Sequence, residues 1–490
     1  MAGRWFFLFS SVVLAVVAVQ RAIGGAFLPW YDVRLAATFR IREFGELYPS
    51  ADAGAILCTL YPPLAHLFYL PATVFSSPNA ALIAGSSLAI VACLATVAWT
   101  IFSAESDERG LRGLVFLFVA WHMVSSRFLM GAWGIHADAP SLAFGVAACA
   151  LAIRGRPVAA AIAGSCALWS KQTVGPFLIV LAAYYLLRGD RRALRQFIAT
   201  SFGVNMAAVA LFSAWFGFEN LLFGLFGVTS RQPINLLSAF RLDGAITSSL
   251  DLIVLVAIIV FAAAGSRKTI AQTLPTSVWL FLGAALALLP LGALGRMKYG
   301  GDINSYGAAH LCLLLGLALG VLAVCSAKKG LVRAVRLTLG VVVALQMINA
   351  APGIVQRKTD LAKLETAGSQ MAFRFAIRHP GEVYFPWYPM ASLMADGELY
   401  HAGYGLFDWA LADLGVPDER LRHHLPDKLR YVAFQQFSQE ADREVMRRLP
   451  GFGCKAEVEA LPAWTVFEPC ETSTPKPSVP SSSATTSTRE

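Results

Sequence analysis

Long apolar stretches recur along the first 351 residues, near 4–28, 79–103, 114–132, 138–153, 157–170, 175–187, 197–217, 246–264, 275–295, 306–326 and 331–351. A bilayer core requires about 20 apolar residues per helical crossing. Inside it every backbone N–H and C=O must be paired, which leaves only helices and closed barrels. These stretches are continuous rather than alternating, so helices are predicted. Composition agrees: 56% of the chain is hydrophobic and 14% is charged, against about 25% charged in an average soluble domain. Soluble globular enzymes, disordered chains and disulfide scaffolds are excluded. The predicted fold is an all-α multi-pass membrane protein of about eleven transmembrane helices, with outer juxtamembrane helices and a small C-terminal α/β domain. Arg4 before the first apolar run is reminiscent of a signal peptide, but no small-x-small cleavage site follows and more spans do.

Orientation turns on one segment. Residues 60–76 are apolar but short, and carry Pro62, Pro63 and Pro71. If this segment does not span and the N-terminus is inside, four basic clusters fall on the cytoplasmic side. They are Arg154/Arg156, Arg188/Arg191/Arg192/Arg195, Arg267/Lys268 and Lys328/Lys329/Arg333. If it spans, all four lie outside, against the positive-inside rule. Residues 60–76 are therefore predicted to lie along or re-enter the outer face. The protein is expected in the plasma (inner) membrane, with its N-terminus cytoplasmic and its C-terminus periplasmic.

This divides the chain into a membrane domain (1–351), an exported soluble domain (352–470) and a Ser/Thr/Pro-rich tail (471–490) expected to be disordered. The first part holds 25 basic and 13 acidic residues, the remainder 15 and 18. That basic surplus reads as cytoplasmic anchoring, not nucleic-acid binding, because no basic-aromatic run accompanies it. Cys454 and Cys470 both fall in the exported domain, where an oxidising compartment makes them disulfide candidates. The other six cysteines lie in or beside apolar segments and read as small packing residues.

Acids of the membrane part gather at the outer ends of the spans, so a site is expected to open outward. Asp32 follows the first span directly; it is either a loop or capping acid or a functional carboxylate. Asp138, with His136 two residues earlier, either starts the fourth span or joins a site. Lys171 is an isolated outer cation, either snorkelling or clamping an anion. Arg296 and Lys298, ahead of Gly300-Gly301-Asp302-Ile303-Asn304, would serve the same anion, although that pentapeptide also reads as a plain turn.

Between Asp32 and Leu64 the order of features is distinctive. Arg34, Thr38, Ile41 and Arg42 suggest an amphipathic helix ended by Gly45-Glu46-Leu47-Tyr48-Pro49, and Tyr61-Pro62-Pro63-Leu64 follows. This order resembles the GT-C superfamily of membrane glycosyltransferases, which use polyprenyl-phosphate sugars. There an Asp follows the first span, then an amphipathic helix, a Gly-x-x-Tyr end and a Tyr-Pro-Pro-Leu start. Ser170-Lys171-Gln172-Thr173 and Gly300 to Asn304 also look like motifs of that superfamily. The resemblance covers residues 1–351 loosely and is nearest to the mannosyltransferase-like and lipopolysaccharide-modifying sugar transferases.

The resemblance implies transfer of a sugar from a polyprenyl-phosphate donor to a glycan, lipid or protein acceptor on the outer face, with inversion at C1. Asp32 would be the base, with Asp138 as sugar ligand or alternative base. Lys171, Arg296 and Lys298 would hold the phosphate, and Asp302, Tyr61 and His136 would line the substrate. Relatives with paired acids in the first loop use a divalent metal; Asp32 has no acidic neighbour, so no cofactor is expected. Two further readings remain: a transporter or flippase of lipid-linked sugars, and a non-catalytic partner that binds a lipid carrier.

Overall fold

The computed structural model describes the chain apart from residues 1, 51–52, 105–107, 242–244, 265–273, 438 and 471–490. The predicted tail and Arg267/Lys268 thus lie outside the described residues. The membrane part is built from α1 (Ala2–Gly24), α2 (Pro29–Phe44), α3 (Leu64–Leu67), α4 (Pro78–Phe102), α5 (Arg109–Ser125), α6 (Asp138–Ile153), α7 (Pro157–Ser170), α8 (Pro176–Leu187), α9 (Arg191–Phe216), α10 (Phe218–Leu222), α11 (Ala245–Ala264), α12 (Thr276–Met297), α13 (Gly307–Ala327) and α14 (Val332–Ala362). Each apolar stretch of the sequence coincides with a helix.

Local chemistry sets several ends. Pro29 occupies the first turn of α2, where its missing N–H costs nothing. Gly45 closes α2 in the left-handed conformation, φ 68°, and donates its N–H to the Ile41 carbonyl. Ser77 caps α4 by accepting from the Ala80 N–H, and Asp190 caps α9 by accepting from Ala193.

Among the described residues, six helices are long and apolar enough to cross a bilayer alone. A seventh is added if α5 and residues 127–133, bent by 93°, form one span. The count of about eleven is therefore not met by length alone. A helix such as α7, with 14 residues, rises only about 21 Å, short of the roughly 30 Å hydrocarbon core. Residues 60–76 form two separate short turns, Leu64–Leu67 and Leu70–Val74, neither long enough to cross. The basic clusters mark matching helix ends. Arg154, after α6, bonds Ser103 at the end of α4, and Lys328, after α13, donates to the Ala262 carbonyl in α11 at 2.5 Å. Arg336 near the start of α14 pairs with Glu108 at the start of α5 at 2.5 Å. α13 runs through the middle of the bundle, with most of its side chains buried.

α14 continues through position 351 to Ala362, so the boundary drawn from composition falls inside a helix. Beyond it come α15 (Gly368–Arg378), α16 (Pro389–Asp396), α17 (Gly403–Leu411), α18 (Asp418–His423) and α19 (Glu440–Arg447). A four-stranded mixed sheet lies among them: β1 (Val383–Tyr384), β2 (Tyr431–Phe434), β3 (Phe452–Ala456) and β4 (Thr465–Pro469), in the order β1-β2-β4-β3. β1 and β2 are parallel, with Val383 opposite Tyr431; the other pairs are antiparallel. Phe375, Phe385, Phe434, Phe467 and Trp464 fill the core around it. Cys454 and Cys470 are disulfide-bonded, with Cα atoms 5.1 Å apart, and staple β3 to the end of β4.

This domain sits directly on the outer loops. Trp30 packs edge-on against Trp387 and Tyr404, at 4.9 and 4.3 Å between ring centroids. The Ala402 N–H donates to the Ile56 carbonyl at 2.8 Å, and the Ile56 N–H donates to His401 Nδ1 at 2.9 Å.

Candidate functional site

Four segments far apart in sequence bring polar side chains to one buried point. α7 ends at Ser170, and the chain turns at Lys171 into extended backbone. That break aims Lys171 across to the first residue of α6: Lys171 Nζ lies 2.5 Å from Asp138 Oδ1. The other oxygen of Asp138 accepts from Asn304 Nδ2 at 3.0 Å and contacts His136 Nδ1. Asn304 also lies 3.4 Å from His136 Nε2. An imidazole with its proton on Nδ1 donates to the Asp138 carboxylate and accepts from Asn304, at the expense of the 3.2 Å approach of the Asp138 N–H to Nδ1. Burial is the main reason that His136 is pushed down to about 4, with the Arg34 charge second, so this imidazole is neutral at pH 7. Tyr61 closes the cluster, its ring centroid 6.0 Å from Lys171 Nζ and 6.1 Å from the His136 ring. Gln172 holds the same segment by donating to the Leu60 carbonyl at 3.2 Å.

Charge in this cluster does not cancel. Arg34, on α2, donates to the Ile135 carbonyl at 3.4 Å and acts electrostatically on Tyr61, His136 and Lys171. Lys171 is paired with Asp138, and the half-buried Arg34 adds a second positive charge to the cluster. Positive charge in excess of carboxylate favours an anion beside it. Space for a charge is tight elsewhere: a Cβ at Gly131 would lie 2.7 Å from Asp138 Cβ, so the backbone there must stay bare.

Other predicted residues are placed differently. Arg296 donates to the carbonyls of Gly301 and Arg241, and Lys298 Nζ donates to the Thr229 carbonyl at 2.7 Å. Both cations therefore tie outer loops together. Asp302 caps the short turn Ile303–Tyr306 by accepting from the Ile303 N–H at 2.6 Å. It acts on the cluster only by fixing the turn that carries Asn304.

Asp32 lies on α2 and is fully buried under the C-terminal domain. Its Oδ1 accepts from the Met390 N–H at 2.9 Å, at the start of α16, while Oδ2 has no hydrogen-bond partner. Burial pushes its carboxyl up to about 7; Met390 and the nearby Ser369 oppose that only weakly. The Ser369 hydroxyl approaches without completing a hydrogen bond, and its oxygen is itself unpartnered. No hydrogen bond or ion pair among the described residues joins Asp32 to Asp138 or Lys171. A cleft of about 590 Å³ opens on the far side of Tyr48, lined by Arg40, Trp215 and His423 among others. Tyr48 itself donates to the Tyr61 carbonyl at 2.5 Å, so the cleft abuts the cluster rather than containing it.

A second polar group was not foreseen from the sequence. His122 on α5 contacts Asp251 on α11 at 2.6 Å and His310 on α13 at 2.7 Å, and Gln346 on α14 donates to Asp251 at 2.6 Å. Only helix packing unites these four positions. The available signal was the rarity of such residues inside apolar stretches. No group of three or more His, Cys, Asp or Glu with metal-site geometry occurs among the described residues.

A helical bundle with a juxtamembrane helix, a charged cluster at the helix mouths and a second domain seated on the adjoining loops is an arrangement shared with solved structures. In particular, the chain matches the crystal structure of ArnT from Cupriavidus metallidurans bound to undecaprenyl phosphate. That match has a TM-score of 0.59 and 15% identity, and spans 95% of this chain and 98% of that one. An oligosaccharyltransferase from Archaeoglobus fulgidus in its apo form aligns with a TM-score of 0.47 and 14% identity, over 87% of this chain and 69% of that one. No protein-family profile matches the sequence, and no curated protein is significantly similar to it.

Proposed function

We propose that this chain is a membrane glycosyltransferase that moves a sugar from a polyprenyl phosphate to an acceptor hydroxyl on the outer face of the membrane. The supporting observation is the buried Lys171–Asp138 pair at the helix mouths, with the half-buried Arg34 as a second positive charge acting on Lys171. A phosphate is the leaving group of the reaction, and it gains charge as the C1–O bond breaks. Cations fixed beside it stabilise that developing charge without reorganising. The ArnT match supplies a protein of the same fold that holds undecaprenyl phosphate.

In this reading the acceptor oxygen attacks C1 opposite the phosphate and inverts it. The C1–O electrons leave with the phosphate, and the acceptor proton passes to a carboxylate. Asp32 suits that last step better than Asp138. Its Oδ2 is free, and a carboxyl near 7 is matched to proton transfer at neutral pH. Asp138 commits its oxygens to Lys171, His136 and Asn304 and so orients the clamp. Acceptor access to Asp32 requires the Met390 contact to open. Arg296 and Lys298 hold the outer loops around the site, and Tyr61 covers Lys171. The shorter helices complete about eleven crossings, with the N-terminus cytoplasmic and residues beyond α14 in the periplasm.

The decisive experiment uses purified protein in lipid, with undecaprenyl phosphate as the binding probe and its glycosylated form as donor. Lys171→Ala weakens binding of undecaprenyl phosphate, whereas Asp32→Asn keeps binding and lowers transfer by at least about 10²-fold, the lower range for a lost general base. Full transfer by both variants refutes the mechanism. Reporter fusions after Arg195 and Lys329 read cytoplasmic, and a fusion after Cys470 reads exported; the reverse pattern overturns the orientation.

A further inference from the structure

The segment from Ala55 to Tyr61 is extended and carries no helix or sheet of its own. It nevertheless presents the Tyr61 ring to Lys171. What fixes it is α17 of the exported domain. Ile56 makes two backbone bonds with His401 and Ala402, as described above. Next along the helix, Gly405 lies so close that a Cβ there would sit 2.9 Å from the Leu57 carbonyl carbon and 3.0 Å from the Ile56 oxygen. One turn further, Asp408 is 2% exposed and faces two neutral groups. Its Oδ1 accepts from Gln232 Nε2 at 2.9 Å, and its Oδ2 meets Cys58 Sγ at 3.5 Å. Gln232 belongs to the loop after α10 and Cys58 to the first outer loop, three residues before Tyr61.

We infer that Asp408 is a positioning residue of the transfer site: it pins the Cys58–Tyr61 segment to the exported domain and so sets the ring of Tyr61 over Lys171. A carboxyl buried among uncharged donors is an expensive choice for packing alone. Here burial pushes it up to about 7, with the Cys58 and Gln232 hydrogen bonds opposing. Its geometric advantage is two acceptor oxygens, one for each loop. A leucine would fill the volume and bind neither, and a serine would reach only one. The titratable groups it acts on are Cys58 on the facing loop and Tyr404 on the preceding turn of its own helix. The inference rests on Lys171 as the phosphate site, but its mechanical half does not.

Both halves are read on the full chain in lipid nanodiscs. Alkylation of Cys58 by N-ethylmaleimide, mapped by mass spectrometry, reports the grip, and binding of undecaprenyl phosphate reports the site. In Asp408→Ala, Cys58 reacts about tenfold faster, the opening expected when a buried hydrogen-bonding group loses its partner, and binding of undecaprenyl phosphate weakens in parallel. Asp408→Asn retains an acceptor for Gln232 and recovers most of both. Gly405→Ala displaces the same segment without touching the carboxylate, so it gives the Asp408→Ala pattern and guards against misfolding of that variant. Unchanged Cys58 reactivity in both Asp408→Ala and Gly405→Ala overturns the inference. So does weakened binding without a change at Cys58, which assigns Asp408 to direct contact instead. If the unaltered protein fails to bind undecaprenyl phosphate, the donor assignment falls, and the Cys58 rates still decide the grip.

Discussion

Removing the Lys171 charge tests whether the cluster is held together as an ion pair. Lys171 and Asp138 are both almost fully buried and meet at 2.5 Å. Breaking one partner of a buried pair typically costs 3–5 kcal/mol, because the survivor is left charged without compensation. Asp138 would retain Asn304 at 3.0 Å and its contact with His136, so Lys171→Met is expected at the lower end, about 3 kcal/mol. Replacing both charges, Lys171→Met with Asp138→Asn, removes the orphaned carboxylate. The double variant should then regain most of that stability, with a coupling of about 2 kcal/mol in the cycle. Equilibrium unfolding of the purified protein in mixed micelles measures each corner of the cycle. Neither variant regains binding of undecaprenyl phosphate, since no neutral pair replaces the cation. Additive losses in the double variant, with no recovery, would refute the claim that an uncompensated Asp138 is the source of the cost.

Three other measurements follow. Asp32 and Asp408 are both raised to about 7 at the seam between the membrane and exported parts; the folded state therefore holds protons that the unfolded state, near 4, has already released. Docking of the exported domain should be tightest below about pH 4 and weaken as pH rises towards 7, read as faster hydrogen exchange at 388–408, while transfer gains activity over the same approach to 7 as Asp32 ionises. Asp251→Leu strips His122 and Gln346 of their acceptor and should cost about 1–2 kcal/mol, measured by unfolding in the same micelles; a neutral result would make that polar group a passive one. Cys454→Ser with Cys470→Ser should destabilise the exported sheet by about 3 kcal/mol, the loop-entropy figure for a loop of this size, with protease resistance of residues 452–470 as the readout.

Helices were legible wherever hydropathy alone decides them. Each apolar stretch became a helix because the bilayer leaves no alternative backbone. Gly45 and Pro29 marked the ends of α2 through their own backbone preferences. Asp138, His136 and Lys171 were readable as lone charges at outer span ends, and the structure joins them. Arg296 and Lys298 show the limit of such reasoning. Their charge was visible, but their partners are backbone carbonyls of the same and of other loops, and carbonyls carry no sequence signal. Asp32 is visible in the sequence as a lone acid after the first span, yet its cover comes from Met390, 358 residues later. His122, Asp251 and His310 are each a rare polar residue in an apolar helix, but only lateral packing makes them a group.

The exported domain's hold on the first outer loop also dictates a schedule. Asp32, Ile56 and Cys58 leave the ribosome early, whereas Met390, His401 and Asp408 follow 345 to 358 residues later. At roughly 5–20 residues per second the interval is on the order of 20–70 s. During that time the Ile56 backbone and the carboxylate that ends up buried stand bare at the membrane surface. A chain that stalls before α17 is complete would carry the Lys171 cluster beneath an unsupported loop. Nascent chains halted at successive lengths should therefore stay sensitive to protease at residues 53–60 until α17 has emerged and docked, and become resistant in one step.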